Sequence, residues 1–161
     1  MTQILKLELK IGLFLLGLFL FQAALNLHIP GLSSYQKNDL FRYITGTIFL
    51  GYIAYQWKLT KTKTQAEKPN GQILRLTLQN HKFWGLLGPM FFYLHTPKMG
   101  YSYLFFLSCS FFSVYLLGLF HERLVRFRKP LITQLSLIGH VGISTAMVAL
   151  IAYHIFIVVY F

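Results

Sequence analysis

The sequence predicts an all-α integral membrane protein of five transmembrane helices, with its N-terminus in the cytoplasm and its C-terminus outside. Three observations predict it: a composition too apolar for a soluble domain, apolar runs of membrane length, and a one-sided distribution of basic residues between those runs. Of 161 residues, 55% are hydrophobic and 12% charged, about half the charged share of a soluble domain. Mean hydropathy is +0.54. A hydrocarbon core about 30 Å thick takes about 20 residues of helix, so the length suits one compact membrane domain, 1–161, and leaves no room for a soluble catalytic one.

The first span is expected over 11–27, ended by the turn signal His28-Ile29-Pro30-Gly31. Lys6 and Lys10 ahead of it give it the look of a secretory leader, but Ala23-Ala24 is a weak cleavage site, and a retained span is expected. The second span is expected over 41–57. A polar loop follows at 58–71, with Pro69-Asn70-Gly71 as its breaker. The third span, 78–95, stops at Thr96-Pro97; the fourth covers 101–120; Lys129-Pro130 separates it from the fifth, 131–161. That last stretch exceeds one membrane thickness, so it tilts or projects.

Charge sets the direction. Lys6, Lys10, Lys58, Lys61, Lys63, Lys68, Arg75, Lys82, Arg123, Arg126, Arg128 and Lys129 fall on one side of a five-span arrangement; only Lys37, Arg42 and Lys98 fall on the other. Twelve against three makes the first side cytoplasmic. A four-span arrangement would break the segregation. The net charge of +11 is therefore a topology signal and forms no single basic face for nucleic acid; membrane lipid is the expected surrounding. The single cysteine, Cys109, lies in an apolar run and has no intramolecular disulfide partner. No C-x-x-C-H motif is present, which excludes covalent c-type haem.

The six histidines are His28, His81, His95, His121, His140 and His154. Two pairs share one spacing: His81 to His95 and His140 to His154 are each 14 positions apart. Fourteen residues are just under four helical turns, which places each pair on one helix face about 21 Å apart along the axis. One span lies between the two helices, so they run parallel, with His81 and His140 toward the cytoplasm and His95 and His154 toward the outside. Neighbouring helices so arranged offer two facing imidazole pairs at two depths, the disposition that bis-histidine ligation of haem iron requires. On the first helix, helical spacing places Gly85, Gly88 and Phe92 between the ligands; on the second it places Ser144, Met147 and Ile151, with Gly142 and Ala146 beside them. Glycine lets a porphyrin approach the backbone closely, although small residues also serve ordinary membrane helix packing. Ionisable residues inside a membrane are costly and usually functional. His28 and His121 suit hydrogen-bonding or headgroup positions. Bare zinc or iron ions fit less well, because they want three or four ligands and Glu8, Asp39, Glu67 and Glu122 all stand outside the apolar runs.

At these residues the chain resembles the di-haem membrane cytochromes b, which share two H-x13-H helices with one helix between them. It is most similar to the transmembrane bundle of ferric-reductase-like and cytochrome b561-like proteins, and to the haem-binding bundle of quinol-oxidising cytochromes b. The resemblance covers 78–161 and leaves the first two spans outside it. It implies two non-covalent b-type haems, the inner ligated by His81 and His140 and the outer by His95 and His154. It also implies electron transport across a bacterial-type cytoplasmic membrane, as a cytochrome b subunit of a redox complex or a quinol- or cytochrome-linked oxidoreductase. Lys82, Arg126 and Arg128 inside and Lys98 outside are candidates for the haem propionates. His121 with Glu122 at the inner interface is a candidate for binding a quinone or relaying a proton. The chain has no Gly-rich nucleotide motif, so flavin or iron–sulfur input is expected from other redox subunits, and no catalytic residue is assigned. Two other classes remain open: a non-redox membrane scaffold or assembly subunit with structural histidines, and a metal or proton transporter, which would be expected to carry intramembrane carboxylates.

Overall fold

The computed structural model describes residues 2–59, 71–126 and 130–161, with the side chains of 2–6 and 126 left aside. Most of the expected polar loop, with Pro69 and Asn70, and the cations Arg128 and Lys129 lie outside the described residues. Every described element is helical: α1 (Thr2–Leu25), α2 (Pro30–Gln36), α3 (Asp39–Gln56), α4 (Gly71–Leu86), α5 (Gly88–His95), α6 (Tyr103–Arg126) and α7 (Pro130–Tyr160). Among the described residues, three helices are long and apolar enough to cross a membrane, over Leu7–Leu25, Tyr103–Val125 and Pro130–Tyr160. The chain divides into two compact units, Met1–Lys98 and Met99–Phe161.

In the first unit, α1 follows the opening apolar run and ends in a Schellman turn. Asn26 takes the left-handed conformation (φ 50°), with Leu27 N–H donating to the Gln22 carbonyl (3.0 Å) and Asn26 N–H to the Ala23 carbonyl (3.4 Å). Asparagine is one of the few residues tolerated there without a large steric cost. The Pro30-Gly31 turn signal proves to open a short helix. Proline at the first helical position has no N–H to leave unsatisfied and a φ already suited to the helix. Asn38 then caps α3, its side chain accepting from Phe41 N–H at 3.2 Å.

The span expected as one helix over 78–95 is two helices. Pro89 stands inside it, at the start of α5, where it lacks the N–H that would bond back to Gly85 and its ring crowds that carbonyl. The helix tightens into a turn, with Leu87 N–H donating to Trp84 (3.1 Å), before α5 resumes from Leu87. The two histidines of H-x13-H therefore stand on successive helices.

The core of this unit forms where α5 packs on α1 and α3. Phe92, 4% exposed, lies edge-on to Phe19 of α1 (5.2 Å between centroids) and to Phe49 of α3 (6.1 Å). Tyr52 stacks on Phe91 at 4.6 Å. Buried Gln36 of α2 donates from Nε2 to the Tyr93 carbonyl at 2.6 Å, satisfying one of the carbonyls that the last turn of α5 leaves open.

The second unit is an antiparallel pair, α6 and α7. Its entry bends at Gly100 (φ 76°), where a Cβ would stand 2.5 Å from Leu104 Cβ, so glycine is required. Ser108 donates to the carbonyls of Met99 (2.7 Å) or Leu104 (2.8 Å), tying this bend to α6. Phe111, Phe112 and Tyr115 of α6 and Met147 of α7 are buried.

Candidate functional site

The four paired histidines are all half-buried, whereas His28 is exposed. In the first unit both imidazoles lean on α3. His81, on α4, places Nδ1 3.1 Å from the main-chain carbonyl of Gln56, the last residue of α3, whose carbonyl has no helical partner ahead of it. His95, at the end of α5, lies across Gly46: a Cβ on that glycine would be 3.0 Å from Cε1, 3.4 Å from Nδ1 and 3.9 Å from Nε2. The ring of Phe49, one turn further on, is 6.1 Å from the His95 ring. Gln56 and Gly46 are ten positions apart on α3, about 15 Å along its axis.

The second unit repeats the arrangement on different residues. His140 of α7 places Nδ1 3.1 Å from the Val114 carbonyl of α6. That carbonyl sits mid-helix, in register with the N–H of Gly118. Gly118 has no side chain to obstruct the approach; a Cβ there would be 3.3 Å from His140 Cε1. His154 places Nδ1 3.4 Å from the Tyr103 hydroxyl. The separations match closely, 25 positions from Gln56 to His81 and 26 from Val114 to His140. Each unit thus contains a helical hairpin whose returning limb carries H-x13-H, with both imidazoles directed at the outgoing helix.

A carbonyl can only accept, so His81 and His140 must each carry a proton on Nδ1 to make these bonds. In the neutral ring this leaves the lone pair on Nε2. Imidazoles that bind metals are commonly held this way, the far N–H donating to a carbonyl that fixes ring orientation and raises ligand basicity.

The other expected site residues fall as follows. On α7, His140, Ser144, Met147 and His154 share the stripe turned to α6; Ser144 donates back to the His140 carbonyl (2.5 Å), and Met147 is 4% exposed. Gly142 opens onto space, with nothing within 4 Å of a Cβ. On the first H-x13-H stretch, Gly85 also opens onto space, while Gly88 and Phe92 are buried. Lys82 is half-buried and Lys98 exposed. The pairings of His81 with His140 and of His95 with His154 join the two units and belong to the proposal below.

Sequence reasoning did not find Gly46, Gly118, Tyr103 or the two carbonyl acceptors. A carbonyl has no residue-type signal, and a glycine in one apolar run does not reveal which histidine of another run rests on it. Among the described residues no three His, Cys, Asp or Glu side chains gather as a site for a bare metal ion. Comparison with known proteins gives no match, whether with family models, curated proteins or solved structures.

Proposed function

We propose that the chain is a five-span membrane cytochrome b that binds two b-type haems, His81 and His140 holding the inner one and His95 and His154 the outer. In this arrangement α3 and the broken α4–α5 segment add two crossings to α1, α6 and α7, and the basic segments lie in the cytoplasm. The observation that carries the reading is that Nδ1 of His81 and of His140 each lies 3.1 Å from a main-chain carbonyl; a proton on Nδ1 satisfies that carbonyl and makes Nε2 the ligand nitrogen. The equal spacing of the two histidine pairs supports it, as do the glycines that seat His95 and His140.

Bound haem supplies reversible one-electron exchange. The chain's own residues hold and orient the imidazoles: Gln56, Val114, Gly46, Gly118 and Tyr103 set where each ring stands. Phe49, Phe91, Phe92 and Met147 keep water from the surrounding core. The protein would then serve as an electron-transfer subunit, with donor and acceptor supplied by partner redox subunits, a quinone or a cytochrome.

The second reading is a scaffold or assembly subunit. The same hydrogen bonds favour it, since each one also stitches a hairpin together. An absorption spectrum separates the two. The purified cytochrome shows reduced-minus-oxidised bands of low-spin b haem, and His95→Ala removes one of two haems. A colourless protein contradicts the cytochrome reading, and loss of stability in its His81→Ala and His140→Ala variants identifies the scaffold.

A further inference from the structure

Tyr103 opens α6 and His154 stands near the end of α7, so the antiparallel pair brings them to one end of the second unit. The Tyr103 hydroxyl lies 3.4 Å from Nδ1 of His154, with the two ring centroids 6.1 Å apart. Tyr153 stands edge-on to the Tyr103 ring at 5.1 Å and 81°, which braces the phenol beside the imidazole. Both Tyr103 and His154 are half-buried.

This contact differs in kind from those of His81 and His140, whose Nδ1 atoms face main-chain carbonyls at 3.1 Å. A carbonyl only accepts, whereas a phenol hydroxyl donates or accepts. The partner of His154 therefore leaves its tautomer open, and the occupant of Nε2 decides it. With Nε2 bound to iron, Nδ1 carries the proton and the Tyr103 oxygen accepts the hydrogen bond. With a proton on Nε2, the Tyr103 hydroxyl donates to Nδ1 instead. We propose that Tyr103 is a positioning residue that lowers the potential of the outer haem by accepting from Nδ1–H of His154, a role that rests on the cytochrome reading above. A bond from the far N–H raises the basicity of a ligating imidazole. A more basic ligand favours ferric over ferrous iron, and such second-shell bonding is one of the levers on haem potential. The same contact also ties α6 to α7, but a tie alone leaves the potential unmoved.

Tyr103 is the partner that a substitution can remove cleanly, since the acceptors of His81 and His140 belong to the main chain. Tyr103→Phe keeps the ring and its contact with Tyr153 and deletes only the oxygen. The test uses full-length protein in detergent, with haem counted by pyridine haemochrome and both midpoint potentials measured by redox titration. The ¹⁵N resonance of His154 Nδ1 is recorded on the haem-free protein. Two haems are expected in Tyr103→Phe, with the potential of one raised and the other unmoved, and with the Nδ1 resonance shifted. Two haems with both potentials at their wild-type values, a lowered potential, or equal shifts of both overturn the proposal. If the variant holds a single haem, the resonance decides: a shift from wild type supports the contact with Tyr103, and an unshifted signal overturns it. A wild-type protein without haem overturns the cytochrome reading and this role with it, whereas unmoved potentials in a two-haem variant overturn the role of Tyr103 alone.

Discussion

A single methyl group at position 118 puts the seating of His140 to a quantitative test. A Cβ there would stand 3.3 Å from His140 Cε1 and 3.7 Å from Nδ1. Ordinary carbon contacts lie at about 3.5–4.0 Å, so in Gly118→Ala the ring must retreat by roughly 0.2–0.7 Å. The bond to Val114 starts at 3.1 Å and would lengthen to roughly 3.3–3.8 Å, across the distance at which such a contact stops being a hydrogen bond. Its loss costs about 0.5–1.5 kcal/mol, against a gain of about 0.8–1.0 kcal/mol for alanine over glycine in a helix. Global stability is therefore expected to change by less than about 1 kcal/mol. Affinity at the site should fall further, since losing a partner that orients a metal-binding histidine typically costs about 10–100-fold. The assay combines thermal unfolding in detergent, haem stoichiometry by pyridine haemochrome, and the ¹⁵N resonance of His140 Nδ1, which reports the tautomer independently of haem. Gly118→Ala should weaken one haem and leave the other, with unfolding nearly unmoved. Gly46→Ala, whose Cβ would meet the His95 ring at 3.0 Å, should weaken the opposite one. Wild-type affinity for both haems in both variants, with an unshifted Nδ1 signal, would refute the idea that these glycines seat the imidazoles.

Three further outcomes are expected. Phe92→Ala empties the contact between α5, α1 and α3 and should destabilise the protein by about 3–5 kcal/mol, read as a lowered unfolding midpoint; a change under about 1 kcal/mol would show that Phe92 is not a core residue. Gln36→Ala removes the donor to the Tyr93 carbonyl (2.6 Å) and should cost about 1–3 kcal/mol, with hydrogen exchange accelerated at the end of α5. In a Cys109→Ala background, a cysteine at Thr64 should react with a membrane-impermeant maleimide only from the cytoplasmic side. Three crossings by α1, α6 and α7 alone would place Thr64 outside, so labelling from the outside removes the five-span arrangement.

Much of the fold could be read from apolar run length, because α1, α6 and α7 are continuous stretches with few polar interruptions. Their ends were less legible. α6 extends to Arg126, beyond the expected 120, since Glu122 and Arg123 suit a helix that emerges from the apolar layer. α2 was hidden because Pro30-Gly31 signals a turn and a helix start equally well. The break at Pro89 was overlooked because hydropathy does not register it, although proline removes a donor whatever surrounds it. At the candidate site, the histidine spacing named four residues that all stand half-buried against a neighbouring helix. Which helix each faces could not be read. His81 and His95 rest on α3 and His140 and His154 on α6, and those contacts depend on hairpin packing that no periodicity within one run encodes.

Haem stoichiometry of the purified, full-length protein, by pyridine haemochrome against protein mass, bears most directly on the four histidines. Two b-type haems per chain are expected, falling to one in His95→Ala and in His140→Ala and to none in the double variant. A wild-type chain that binds no haem, or a double variant that still holds two, would contradict the assignment of His81, His95, His140 and His154 as its ligands.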